Sequence, residues 1–230
     1  MKKNDFIFIA ALVLAFAPFF VFDSVYEFYK QFNKEHGMIM SFVKFALLAT
    51  LGESIGLRIK TGRFNEKGFG ILSRAVVWGF LGLTIKLAFI IFATGTPNFL
   101  AYMGIDGAVT AMKGDFSTTK LLVAFAISLT MNVIYAPVMM TLHKITDIHI
   151  ISNGGTVSGL FRKIHFVKIL KEINWDVQWN FVFKKTIPFF WIPAHTITFL
   201  LPPDFQVLFA ALLGIVLGVI LSVASMKTSN

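Results

Sequence analysis

Six apolar stretches in succession constrain this chain more than any other feature of it. They run from about Phe6 to Phe22, Met38 to Leu57, Ile71 to Ala93, Leu121 to Met140, Trp179 to Leu201 and Phe205 to Ala224. A bilayer crossing takes about 20 mostly apolar residues in helix. A helix apolar on every side must be covered by lipid or by a large core. A chain of 230 residues has no core large enough to hide so many. Spans of this length satisfy their backbone in hydrocarbon as helices. The expected fold is all-α: a polytopic membrane bundle of about six transmembrane helices, one membrane domain over 1–230, with interfacial amphipathic helices beside it.

Composition agrees. Charged residues make up 14% of the chain, below the roughly 25% usual in soluble domains, and apolar residues 56%. The net charge of +9 suits anionic lipid head groups on the cytoplasmic side, so the lipid bilayer is the expected partner and nucleic acid is not. Cysteine is absent, which removes disulfides, thiolate catalysis and cysteine metal sites. With six spans, the amino terminus, Arg58 to Lys67 and Lys144 to Lys171 fall on one side. The other side receives only Lys30, Lys34, Lys113 and Lys120. That excess places both termini in the cytoplasm. A bacterial inner membrane is the first expectation, and a mitochondrial inner or peroxisomal membrane the alternative.

The first stretch reads as a retained span rather than a cleaved leader, because Pro18 and phenylalanines stand where a leader would have small residues. Val25, Phe28 and Phe32 repeat at helical spacing in a polar link at the membrane surface. Residues 161–173 form a basic amphipathic pattern: Phe161, Ile164, Val167, Leu170 and Ile173 face one way, with Arg162, Lys163, Lys168 and Lys171 beside them. His143, His149 and His165 show no i, i+4 pairing and no carboxylate completing a helical set. Neither a metal nor another cofactor is expected.

Two kinds of residue stand out inside the spans. Small ones, Gly52 and Gly56, Gly79 and Gly82, Gly214 and Gly218, mark helix-packing faces. Ionisable ones, Glu53, Lys44, Lys86, Lys184, Lys185 and His195, are costly at membrane depth and mark functional candidates. Arg74 lies a turn inside its span and reads as a head-group anchor. Ser128, Asn132 and Tyr135 make a polar stripe, and Pro137 bends the end of that span. Pro188 and Pro193 interrupt the fifth span, and broken helices suit solute sites at membrane depth. The expected solute path is Glu53, Lys86, Asn132, Lys184, Trp191 and His195, with no catalytic residues.

The stretch Trp191 to Pro203, WIPAHTITFLLPP, resembles the penultimate-span signature of the twenty-two-kilodalton peroxisomal membrane protein family, which has a mitochondrial inner-membrane branch. Trp191, Phe199 and Pro203 match in register, and Pro193 is displaced by one. His195 stands where that signature has Gln, and Thr198 where it has Asn. Gly52-Glu53 is similar to the Gly-Asp of its early span, and Leu221-Ser222 to its closing Leu-Ser. Val207 replaces its Arg, Gly218 falls at its last-span Trp, and its His-x-Trp-Tyr is absent. The resemblance implies a small helical membrane protein, often described as a solute channel, here as a remote bacterial relative.

Four cations to one carboxylate within the spans, with Arg74 set aside, favour a channel or transporter for small, anionic solutes. The alternative is a non-transporting scaffold or accessory subunit whose glycine faces hold a partner protein or assemble a homo-oligomer. An enzyme is not expected, because His195 has no acidic neighbour on its helix.

Overall fold

The computed structural model describes the backbone over residues 3–227 and the side chains over residues 5–220. Leu221, Ser222 and Lys227 therefore have no described side chains. All described elements are helical. The chain divides into two compact units, Met1–Met40 and Ser41–Asn230.

The smaller unit holds α1 (Lys3–Phe16), α2 (Pro18–Val21) and α3 (Asp23–Glu35). The sequence predicts one span from Phe6 to Phe22, but α1 stops at Phe16. Pro18 has no N–H and its ring opposes a continuing turn. The 14 residues of α1 reach about 21 Å at 1.5 Å per residue, short of a hydrocarbon core. α3 is amphipathic, as its spacing predicts; Phe28 stacks on Phe32 at 5.9 Å, and Lys30 pairs with Glu27 at 3.0 Å.

The larger unit begins within α4 (Gly37–Thr61) and continues with α5 (Ile71–Tyr102), α6 (Ala108–Ala111), α7 (Thr118–Ile134) and α8 (Ala136–Ser152). Then come α9 (Val157–Leu160), α10 (Phe166–Glu172) and α11 (Trp175–Val177). A π-helix (Gln178–Trp191) runs directly into α12 (Ile192–Leu200), and α13 (Pro203–Lys227) closes the chain. α4, α5 and α13 are long and apolar enough to cross a membrane. α7 and α8 pass together as one broken span, bent by 44°. Pro137, which cannot donate to the preceding turn, accounts for the break.

Three or four helices thus meet the requirement, against six expected. The first expected span is cut at Phe16. The fifth is two shorter helices of different pitch: Ile192 N–H donates to Ile187 O, five residues back. Such a register rarely exceeds one turn and recurs at functional sites. α5 outruns its expected end at Ala93 and passes through Pro97, where Asn98 Nδ2 donates to Thr94 O at 2.7 Å. The basic amphipathic helix is shorter than the 161–173 pattern. It occupies Phe166–Glu172, and it buries Ile169 and Ile173 against Ile145 while Phe161 and Val167 stay exposed.

The glycine faces act within the chain. A Cβ on Gly52 would lie 2.9 Å from Ile215 Cα, and one on Gly218 would lie 3.3 Å from Gly52 O, so α4 and α13 touch backbone to backbone. A Cβ on Gly82 would stand 2.8 Å from Ser41 O, and Ser41 Oγ donates to Gly82 O at 2.9 Å. Gly79 is covered by the Phe42 ring. Gly214 departs from the packing expectation, for a Cβ there would meet nothing within 4 Å. Around these contacts Phe45, Leu48, Phe89, Ile127, Met131 and Phe199 form the core.

Candidate functional site

Arg74 and Trp78 stand four residues apart on α5, and His143 and Asp147 four apart on α8, so each pair shares a helix face. Glu53 of α4 meets both pairs. Its Oε1 accepts from Trp78 Nε1 at 2.9 Å and lies 3.0 Å from His143 Nε2. Its Oε2 accepts from Arg74 Nη1 at 2.5 Å. The same nitrogen donates to Asp147 Oδ1 at 2.5 Å, while Arg74 Nε donates to Phe69 O at 2.8 Å. The guanidinium lies over the Phe69 ring, and the Trp78 and His143 rings are 4.3 Å apart.

Local structure places that guanidinium. Phe69 precedes Gly70, whose φ of 76° suits glycine, and a Cβ on Gly70 would lie 2.8 Å from Gly155 O. Ser73 Oγ donates to the same carbonyl at 3.2 Å. The start of α5 is thereby pinned to the turn after α8. Arg74 is 6% exposed, a buried cation between two carboxylates rather than the head-group anchor its position in sequence predicts. A buried charge needs this kind of pairing to persist in a low dielectric.

Glu53, His143 and Asp147 each offer one ligand atom within 4.8 Å of the others, the geometry of a small metal set. Arg74 Nη1 already lies on both carboxylates and supplies the positive charge a metal would bring. The expectation that no carboxylate completes a helical set with these histidines is overturned: Asp147 stands four residues after His143 on α8, its Oδ1 3.8 Å from His143 Nε2.

This cluster forms one end of a cavity of about 620 Å³. Lys60 and Lys144 line it on the same side, and Asn132, Trp191 and His195 line its other end. There Asn132 Nδ2 donates to Ser128 O at 2.8 Å, Ser128 Oγ donates to Ile192 O at 2.7 Å, and His195 Nδ1 lies 3.1 Å from Asn132 Nδ2 and 3.2 Å from its Oδ1. The His195 ring stacks on Trp191 at 5.1 Å. The expected polar stripe therefore serves as an α7–α12 seam, and Tyr135 turns away to meet Thr84 Oγ1 at 2.7 Å. Gln178, Val182 and Thr186 line the wall from the π-helix. Gln178 Nε2 and Trp191 Nε1 have no acceptor among the described residues.

Of the expected solute path, Glu53, Asn132, Trp191 and His195 share this cavity, and two residues do not. Lys184 is exposed, donating to Asn180 Oδ1 at 3.3 Å and lying over the Trp179 ring. Lys86 lines a separate cavity of about 380 Å³. Lys185 is exposed and Lys44 buried, and neither lines the larger cavity. The extra residue per turn of the π-helix, with its i→i+5 register, breaks the alignment of Lys184 with Trp191 and His195 that an α-helical reading assumes. Arg74, Trp78, His143 and Asp147 are the additions. Their i, i+4 spacings are visible in the sequence, but nothing there pairs α5 with α8.

No known family, no curated protein and no solved structure matches this chain.

Proposed function

We propose that the chain is a multi-pass membrane protein that carries small organic anions through the cavity lined by Glu53, Arg74, Asn132, Trp191 and His195. The observation that carries this reading is the cavity itself: about 620 Å³ in the helix bundle, of the size that small-molecule sites occupy. Its wall is largely apolar, which suits an organic body. Lys60 and Lys144 stand at one end with no hydrogen bond or ion pair to an acidic residue among the described residues. Arg74 is consumed by Glu53 and Asp147, so these two lysines supply the attraction that Lys86 and Lys184 were expected to provide. Gln178 and Trp191 add unpaired donors on the wall.

In this reading α1 together with α2, and the π-helix together with α12, complete the six crossings, with both termini in the cytoplasm of a bacterial inner membrane. The family resemblance near Trp191 to Pro203 points the same way. The scaffold alternative loses support, because Gly52, Gly79, Gly82 and Gly218 face the chain's own side chains or backbone and are not offered to a partner.

The test is flux of short-chain carboxylates into liposomes reconstituted with the full chain. Flux above empty vesicles that saturates with concentration supports the reading. Flux equal to empty vesicles, with correctly inserted protein, removes it.

A further inference from the structure

The two cavities succeed one another along α5. Arg74, Trp78 and Ile85 line the larger one; Lys86, Ile90 and Ala93 line the smaller. Phe89 belongs to both linings. Its ring is 3% exposed, edge-on to His195 at 5.8 Å and 5.0 Å from Phe199. His195 lines the larger cavity and Phe199 the smaller, so this ring stands between two walls.

The cavities reach opposite ends of the bundle. The larger meets Lys60 in the last turn of α4 and Phe69 in the connection to α5. The smaller meets Lys120 in the first turn of α7 and Pro202–Pro203 at the α12–α13 turn. Lys86 stands about 22 Å along α5 from Ile71, at 1.5 Å per residue. It is half-buried, and its Nζ has no acceptor among the described residues. Its charged neighbours on the packed helices are Lys44, itself buried and also near Asp204, and Lys120, which donates to Gly114 O at 2.7 Å. A cation at this depth, beside another cation and open to an apolar-walled space, is stabilised by an anion carrying its own apolar body.

We infer that the smaller cavity is a second organic-anion site with Lys86 as its binding cation, and that the Phe89 ring closes the path between the two sites. The inference rests on the solute-path reading above and names the far end of that path. An apolar constriction of this kind closes a path by excluding water, and it opens when the ring moves or is shortened.

The absence of cysteine makes the test direct. Ala93→Cys places a thiol in the smaller cavity and Met140→Cys one in the larger. Each is reconstituted in the full chain and exposed to a membrane-impermeant thiol reagent from either face. The expected result is labelling of the two thiols from opposite faces, and labelling of Ala93→Cys from both faces once Phe89→Ala is added. Hexanoate slows labelling of Ala93→Cys and hexanol does not. Lys86→Met weakens that protection on the order of tenfold or more, the scale for one charged hydrogen bond lost. Labelling of both thiols from one face, unchanged sidedness in Phe89→Ala, or no protection by hexanoate overturns the inference. Where Phe89→Ala does not purify as a monodisperse protein, Phe89→Leu gives the same readout. Sidedness and protection as expected without carboxylate flux would remove transport and leave the second site. Saturable flux in wild-type protein without hexanoate protection would remove the second site and leave transport.

Discussion

Arg74 Nη1 lies 2.5 Å from Glu53 Oε2, joining α5 to α4, and the same nitrogen extends the tie to Asp147 of α8. Three helices thus share one buried guanidinium. Removing it leaves two carboxylates facing each other with only the His143 imidazole beside them, whereas neutralising one acid leaves the other still paired. Arg74→Met is therefore expected to cost about 3–5 kcal/mol, the range for breaking a buried pair from one side. Glu53→Gln, which keeps an acceptor for Trp78, costs less. Thermal unfolding of the detergent-solubilised protein orders the two variants, and equal melting temperatures would contradict the shared-guanidinium tie.

Gly52 and Gly214 look alike in the sequence and differ in the fold. A Cβ on Gly52 would press on the Ile215 backbone, while one on Gly214 would enter open space. Gly52→Ala should lose about 1–3 kcal/mol through overpacking, and Gly214→Ala should be neutral or gain up to about 1 kcal/mol in helix propensity. Unfolding midpoints of the two single variants give the comparison.

The α7–α12 seam makes a different kind of prediction. His195→Leu takes the partner from the buried Asn132 Oδ1 while Nδ2 keeps Ser128 O, which is expected to cost about 1–3 kcal/mol for an unsatisfied polar atom. Adding Asn132→Leu removes the stranded partner and should recover part of that loss. A double variant less stable than His195→Leu alone would show that the amide was never dependent on the imidazole.

The lysines at the cavity separate the proposed path from the surface. Lys60→Gln and Lys144→Gln should each lower carboxylate flux by about tenfold at low salt, the factor for 1.4 kcal/mol. Added salt should narrow the gap, because exposed charges are screened. Lys184→Gln should leave flux unchanged, since that side chain is exposed outside the cavity. Liposome uptake at two ionic strengths decides it.

The helical class, the apolar α4, α5 and α13, the break before Pro137, and Glu53 as a carboxylate costly at membrane depth were all legible from residue order. Each depends on local quantities: the length of an apolar run, a missing N–H, the cost of a charge in hydrocarbon. Tertiary structure decided which cation answered Glu53, choosing Arg74 over the lysines. It also brought His143 to Glu53 and Asp147 to the same guanidinium, and sent Lys184 outward through a π-helix whose extra residue per turn no α-helical spacing rule anticipates. Partners across helices depend on how separate faces meet in space, and a one-dimensional pattern carries the faces but not their meeting.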